Sequence, residues 1–508
     1  MIKQMAGYMT MDTGGTETVA SDNDVLRVTL VQESTPVIIT ENVLDRHYQY
    51  LKDPSGFKVY KQRWLLLFII ALINFTNALI WIIFSPVTDK TAAYYKKSLM
   101  EVNWLSLVFL VASVPSGFFA SWMLDTIGLR ASIIVAAWLN LIGCLLRNIT
   151  IFNFISIESK YPVLLTGQIV AACGQTFIMF TPAKVAALWF ADSQRALATT
   201  VASMSNPLGI LAANLMSPYI VRENSDISIV LWICSAISLL GVLMSMIFVR
   251  KSIPPTPPSP SAASQSEPFF IGIKKLRKNG AFWLLTLSVG GGLALFTAYT
   301  TFLEQILCPQ NYDNNFAGLS GALMIAFGIV GAFVAGLIAD KTKKFSEVTK
   351  IGFCLSTLFS IAFVQLARFR GQDVLIAASV ALFGCFGFAI YPTALEMAVE
   401  ITYPVAEATS TGLIFLSGQI QGIIIMLIAQ FIAQPLSAHD AALPKACPQD
   451  SSFDPQDWTI PNLMVNGLGV FYCVVITLLF HAKYKRMNAE MMAKAKSTLN
   501  GKLHSAVN

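Results

Sequence analysis

Side-chain amides punctuate the apolar stretches of this sequence at helical spacing. Asn74, Asn77 and Trp81 stand three and four residues apart, Gln168 and Gln175 stand seven apart, and further amides recur at Asn206, Gln419 and Gln421. Residues at such spacings share one face of a helix. Groups of this kind serve one of two purposes inside a membrane. They bond to a neighbouring helix, at about 0.6 kcal/mol each, or they line a cavity that receives a polar solute. Trp81 has a similar choice, between the aromatic belt at the membrane interface and a cavity wall.

Catalysis finds no support in the sequence. There is no phosphate-binding Gly-rich loop with Lys, no HExxH, no GxSxG and no paired cysteine spacing for zinc. The four histidines, His47, His439, His481 and His504, fall in tails or loops or at the end of an apolar stretch. The chain is expected to be no enzyme and to need no metal or cofactor. Ionisable residues in the apolar stretches, Asp89, Arg147, Lys184, Glu304, Glu396 and Glu400, stand near their ends. A proton-coupled carrier uses Asp, Glu or His within the bundle as a relay, so their absence from the middle points to uncoupled transport.

The elements that must position these groups follow from composition. The chain has 508 residues, of which 55% are hydrophobic and 13% charged, against about 25% charged in a soluble protein. Disorder and a soluble globular fold are both excluded, and the basic residues form no nucleic-acid patch. A spanning helix needs about 20 apolar residues. Such stretches run over 64–87, 102–124, 131–149, 162–188, 196–220 and 227–249, then 281–303, 317–339, 348–366, 374–399, 410–432 and 461–480. The expected fold is therefore an all-α polytopic membrane protein of twelve transmembrane helices in two six-helix halves.

The halves are 64–249 and 281–481, flanked by tails 1–63 and 482–508 and joined by a linker at 250–280. Residues 1–63 lack the apolar run of a cleavable signal peptide. Lys and Arg concentrate about two to one on the side holding both tails and the linker, which places both termini in the cytosol. The linker opens as a Pro/Ser tract, Ser252–Pro268, suited to a flexible tether. It closes on a basic amphipathic stretch, Ile271–Asn279, suited to the lipid surface. The partners expected are membrane lipids and a small-molecule substrate, with no nucleic acid, and the chain is expected to be monomeric. The plasma membrane is the first expectation for its location and endolysosomes the second.

The halves resemble each other. Pro182-Ala183 precedes Ala198-Thr199-Thr200, and 210 positions later Pro392-Thr393 precedes Ala408-Thr409-Ser410. Asp125 with Arg130 after the second span echoes Asp340 with Lys341 after the eighth. Such repeats mark a two-fold transporter architecture. The segments Gly336–Lys341 and Asp125–Arg130 resemble the loop motif of the major facilitator superfamily. The first copy has Ser121 for its Gly and Thr126 for a basic residue.

Several further segments resemble the feline leukaemia virus subgroup C receptor-related family, solute carrier family 49. They are Asn77–Trp81, Asn103–Ser106, Gly167-Gln168, Gly174-Gln175, Leu188–Phe190, Asn206–Gly209, Glu396–Pro404 and Ser417–Gln419, with Pro254–Ser259 and Leu303–Cys308. The resemblance implies a major facilitator fold and a carrier working by alternating access. In choline-transporting members, a Trp on the first span and Gln on the fourth and eleventh resemble a cavity wall; they match Trp81, Gln175 and Gln419. A quaternary ammonium lacks donors, so an aromatic face holds it by cation–π attraction of about 2 kcal/mol once desolvated. Asn77, Asn206 and Tyr299 complete the candidate substrate-binding set. Where relatives carry an aromatic on the seventh span, this chain has Thr297, flanked by Phe296 and Tyr299.

The expected function is facilitative transport of a choline-like organic cation. The alternatives are haem or porphyrin export, which would need Met or Tyr as axial ligand because no span holds a histidine, and a non-transporting receptor on the same scaffold.

Four further expectations concern the ends of the spans. Thr199-Thr200 and Thr409-Ser410 read as N-caps of spans five and eleven. Asp125 is expected to face the start of span eleven and Asp340 the start of span five, with Arg130 and Lys341 completing a conformational switch. Asn148-Ile149-Thr150 is a glycosylation acceptor pattern at the outer side. Of eight cysteines, six fall within spans. Cys308 and Cys447 fall in outer loops on the oxidising side and are expected to form a disulfide.

Overall fold

Without water to bond, every backbone group inside a bilayer must be satisfied within its own helix or barrel, and the apolar stretches of this chain resolve accordingly into helices. The computed structural model describes residues 58–152, 154–258, 269–342, 344–403, 405, 407–437, 456–481 and 484–485. The first half comprises α1 (Gln62–Ile82), α2 (Thr88–Tyr95), α3 (Leu99–Thr126), α4 (Leu129–Ile149), α5 (Ile157–Met179), α6 (Thr181–Trp189), α7 (Asp192–Ile220) and α8 (Ile227–Phe248). A linker helix, α9 (Phe269–Leu276), leads into the second half. That half holds α10 (Gly280–Leu307), α11 (Asn314–Thr342), α12 (Phe345–Leu366), α13 (Asp373–Thr402), α14 (Glu407–Ile432) and α15 (Thr459–Val474).

Among the described residues, eleven helical segments are long and apolar enough to cross a membrane. The twelfth is α7, whose 29 residues include Ser205, Asn206, Asn214 and Ser217, all buried. Its polar groups face neighbouring helices, which lowers its apolarity without exposing them to lipid. The chain is an integral, multi-pass membrane protein whose spanning helices fall into two halves, as expected.

Proline sets the interruptions. The first span ends early at Ile82, and Pro86 opens a 3₁₀ turn, Ser85–Val87, leading into α2. Proline suits a first helical turn because its missing N–H would be unpaired there anyway. Pro182 likewise divides the fourth span into α5 and α6. Helix α3 starts on a capping box, in which the Ser98 hydroxyl accepts from the Glu101 N–H and Glu101 accepts from the Ser98 N–H.

The expected caps on spans five and eleven are corrected. Helix α7 begins at Asp192 after Ala191 in extended conformation, so Thr199 and Thr200 lie two turns inside it. Helix α14 begins at Glu407, which puts Thr409 and Ser410 in its first turn, buried. Helix-compatible residues precede both pairs, and nothing there stops the helix from starting earlier.

Among the described residues, the most extensive helix pairings between the halves are α3 with α14 and α7 with α11. The second pair approaches closely because Gly318 and Gly321 of α11 meet Asn214 and Pro218 of α7. A Cβ on Gly321 would lie 2.5 Å from Asn214 Oδ1. In the linker, Trp189 Nε1 donates to the Ser252 carbonyl at 3.1 Å, and the Tyr60 and Thr256 hydroxyls pair at 3.0 Å, fixing its first residues to the first half. Helix α9 buries Gly272 and Leu276 against the bundle and leaves Lys274 and Lys275 exposed, the amphipathic pattern expected of it. At the opposite end, a two-residue ladder pairs Gln434–Pro435 (β1) with Gln456–Asp457 (β2) and ties down the ends of a long connection.

Candidate substrate cavity

Three helices leave a gap between the halves, in the portions nearest the linker. Helix α3 contributes Ser113, Gly117, Phe118 and Ser121, α5 contributes Thr176 and Met179, and α14 contributes Gly412, Phe415 and Gln419. Phe180, in the junction between α5 and α6, and Leu413 and Leu416 of α14 complete the lining. The gap spans about 530 Å³ of space not filled by protein atoms, part of it open to solvent. Small side chains make the room: Gly117 and Gly412 stand where a larger residue would fill it. Pro115 removes the N–H that would bond the Val111 carbonyl one turn earlier in α3.

The lining is uncharged. Three phenyl rings, from Phe118, Phe180 and Phe415, share it with the aliphatic side chains of Met179, Leu413 and Leu416, with hydroxyls and with one amide. Tyr391 of α13 extends the aromatic group, its ring 5.8 Å from that of Phe415. Behind the wall, the Ser113 hydroxyl donates to Gln175 Oε1 at 3.1 Å, and the Thr176 hydroxyl donates to Ser116 Oγ at 3.2 Å. The surface is polarisable, with dipoles and no formal charge.

The structure separates the amides that the sequence leaves equivalent. Gln419 lines the cavity and Gln175 borders it through Ser113. The others are committed to helix packing. Asn77 Nδ2 donates to Asn140 Oδ1 at 2.8 Å and to the Ala171 carbonyl at 3.0 Å, so it faces α4 and α5. Asn206 Nδ2 donates to Asn74 Oδ1 at 3.1 Å, and Asn74 in turn donates to the Ala202 carbonyl. Gln168 accepts from Arg147 Nη1 at 3.3 Å and donates to the Leu105 carbonyl. Gln421 accepts the Tyr472 hydroxyl at 2.6 Å.

Tyr299 also departs from its expected place. Its hydroxyl donates to Asn466 Oδ1 and accepts from Ser360, and its ring packs edge-on against Phe363 and Phe383 inside the second half. Trp81 is buried, with its indole N–H donating to the Ser106 carbonyl at 3.2 Å, about two turns along α3 from Ser113. The residues missed from sequence are Phe118, Phe180, Phe415 and the small residues between them. Phenylalanine and glycine are ordinary in a spanning helix and gave no signal.

At the end of the bundle farthest from the linker, the halves are sealed by hydrogen bonds. Ser85 Oγ reaches the carbonyls of Thr300 and Thr301, at 2.9 and 2.7 Å. Asn103 and Gln305 exchange a reciprocal pair, Gln305 Nε2 to Asn103 Oδ1 at 2.6 Å and Asn103 Nδ2 to Gln305 Oε1 at 3.2 Å. Asn314 Nδ2 donates to Asp89 Oδ1 at 2.7 Å. All three join the first half to the second.

The remaining expected residues divide as follows. Arg130 is exposed at the start of α4, with its backbone N–H donating to Ser252 Oγ, and Lys341 is exposed at the end of α11. The side chains of Asp125 and Asp340 lie outside the described residues. Cys308 is buried and disulfide-bonded, while Cys144, Cys173, Cys234, Cys354, Cys385 and Cys473 are free. Cys447 lies outside the described residues. Asn148 is corrected as a glycosylation acceptor: only 3% of it is exposed, and its amide pairs with Ser235 of α8, so the acceptor nitrogen faces the bundle.

A two-halved helical bundle with an uncharged cavity at the interface, closed at one end, is the architecture of a membrane transporter. The family model of the Major Facilitator Superfamily matches residues 68–426. Solute carrier family 49 member A3 of Xenopus tropicalis is 45% identical over 443 residues, covering 86% of this chain and 91% of that protein. The choline/ethanolamine transporter flvcr2a of Danio rerio is 29% identical over 394 residues, 74% of this chain and 81% of that one. The crystal structure of a D-xylose-proton symporter superposes with a TM-score of 0.61 at 13% identity, covering 83% of this chain and 98% of that one. The chain belongs to the major facilitator superfamily and, within it, to solute carrier family 49.

Proposed function

We propose that this carrier moves a small organic cation of the choline type by alternating access, without a coupled ion. The observation that carries the reading is the cavity wall, in which phenyl rings and an amide face the same space and no formal charge is present. A cation with no hydrogen-bond donors gains from ring faces and from amide dipoles. It would bind too tightly for rapid release if a buried carboxylate neutralised it. Phe118, Phe180 and Phe415 would hold the cationic head, with Gln419 and Gln175 supplying partial negative charge. Trp81 would join them from the sealed end when that end opens. Relatives named as choline/ethanolamine transporters support the same substrate class.

In this reading the end bearing α2 faces outward, both termini are cytosolic, and the described form opens toward the cytosol. Asp125 and Asp340, with Arg130 and Lys341, would close that side in the opposite state. Among the residues described as lining the cavity, Met179 offers the one thioether and none is a histidine or cysteine, which counts against a haem-ligating wall.

Purified protein in proteoliposomes tests the proposal. Radiolabelled choline should enter saturably, without a proton gradient, and ethanolamine should compete while haem should not. Flux that requires a proton gradient would remove the uncoupled mechanism. Binding without flux of any solute would instead favour a receptor.

A further inference from the structure

Glu304 sits in the last turn of α10 with 1% of its surface exposed, and neither carboxyl oxygen has a hydrogen-bond partner. It lies within the seal. One turn before it, the Thr300 and Thr301 carbonyls accept from Ser85, and the residue after it, Gln305, is bonded to Asn103.

Its charged neighbour is another carboxylate. Asp89 of α2 is close enough for its charge to act on Glu304. Asp89 has its own partners, Asn314 Nδ2 at 2.7 Å and Lys90 Nζ at 3.9 Å. The elements packed most closely on α10 are the turn Ser85–Val87, α11, α13, α14, α15, the π-helical turn Val475–Leu479 and the turn Cys308–Gln310. Among the described residues, none of these brings a further charged side chain to bear on Glu304. The Tyr299 hydroxyl, on α10 itself, donates a hydrogen bond to Asn466 Oδ1, and Cys308 is disulfide-bonded.

We propose that Glu304 is a proton-operated latch: it holds a proton while the seal is closed and gives it up to water when the halves part, so that acid on that side favours the closed form. An ionised carboxylate in this position would lack water, donors and a counter-ion, and would face a second negative charge. Burial of such a group is strongly unfavourable, and the group neutralises instead. Opening admits water, and the carboxyl ionises. The closed form then binds one more proton than the open form. By linkage, the closed-to-open ratio falls by up to about tenfold for each unit rise in pH across the window where the two forms differ in protonation.

Because Glu304 is reached only from the sealed end, its proton returns to the side from which it came. Acidity therefore sets how often the carrier opens and drives no net transport, which keeps the latch compatible with uncoupled flux. The inference rests on the alternating-access reading.

The test uses the full chain in intact cells, with Ser85→Cys as reporter and a membrane-impermeant maleimide added outside. Labelling is normalised to denatured protein at the same pH. The rate should rise between about pH 5 and pH 8, by up to about tenfold per unit at its steepest. Glu304→Gln should flatten the profile. Asn103→Ala, which loosens the seal by another route, should raise labelling at every pH and keep the slope. A slope that survives Glu304→Gln, or its absence from the parent, overturns the latch.

The infrared carbonyl absorption of purified, unmodified protein at neutral pH gives an independent reading. A protonated carboxyl band that disappears in Glu304→Gln supports the proposal, and the lack of any such band refutes it. A reporter that never reacts at any pH would count against alternating access, and the infrared result would then decide the proton on its own.

Discussion

The seal between Asn103 and Gln305 allows a perturbation whose size follows from its geometry. Both side chains are buried, 3% and 4% exposed, and each donates once to the other, at 2.6 and 3.2 Å. Buried amide pairs that never meet water average about 0.6 kcal/mol in a bilayer. This pair differs, because opening hydrates it, so the ordinary exchange with water applies, at about 0.5–1.5 kcal/mol per bond. Asn103→Ala removes two such bonds and strands the Gln305 amide in the closed form, which raises the cost toward about 2–3 kcal/mol. The closed-to-open ratio should then fall by about 30- to 150-fold, since 1.4 kcal/mol is a factor of ten. Maleimide labelling of Ser85→Cys reads that ratio directly. The double variant Asn103→Ala/Gln305→Ala leaves no stranded amide and should label less than the sum of the single effects implies. Strict additivity of the two substitutions, or labelling indistinguishable from the parent in Asn103→Ala, would refute the reasoning.

Three other outcomes follow from the same geometry. Phe415→Ala should raise the half-saturating choline concentration by about 30-fold, from the loss of a cation–π contact worth about 2 kcal/mol, while Tyr299→Phe, whose hydroxyl bonds to Asn466 away from the cavity, should leave it within about threefold, a difference read by uptake kinetics. Gly321→Val drives a side chain into Asn214 of α7 and should cost the closed form about 1–3 kcal/mol, seen as faster Ser85→Cys labelling and relieved by Asn214→Ala. Because Asn148 pairs with Ser235 inside the bundle, glycosidase should leave the electrophoretic mobility of the cell-expressed protein unchanged, and any shift lost in Asn148→Gln would show that the helix end opens during synthesis.

The fold was legible because lipid imposes one rule on every span, and the sequence obeys it with long apolar runs. Helix starts were less so. Thr199 and Thr409 carry the side chains of caps, yet the helices begin earlier because permissive residues precede them. The cavity was half legible, and the reason is specific. Gln168 and Gln175 are two turns apart on one face of α5, so periodicity treats them alike. Gln168 stands at the level of Arg147 and the Leu105 carbonyl, which use up its amide, whereas Gln175 stands at the level of Ser113, beside the space left by Gly117 and Gly412. Depth along the helix, set by what the neighbouring helices present, decided their roles, and no local pattern encodes it.

That same dependence on depth explains how a seal at one end can answer to a solute in the middle. Helix α3 carries Asn103 in the seal and Ser113 at the cavity, ten residues apart along one continuous helix, or about 15 Å at 1.5 Å per residue. Between them, the Ser106 carbonyl holds the Trp81 indole, tying α1 to the same rod. Just beyond Ser113, Pro115 removes one rung of the backbone ladder, which is where a helix bends most cheaply. A solute that draws α14 toward Ser113 and Gln175 therefore acts on a rod that is stiff toward the seal and compliant toward the linker. In the proposed alternating-access reading, strain from the cavity would reach Asn103 and Gln305 through α3, while the end of the helix nearest the linker would move with less resistance.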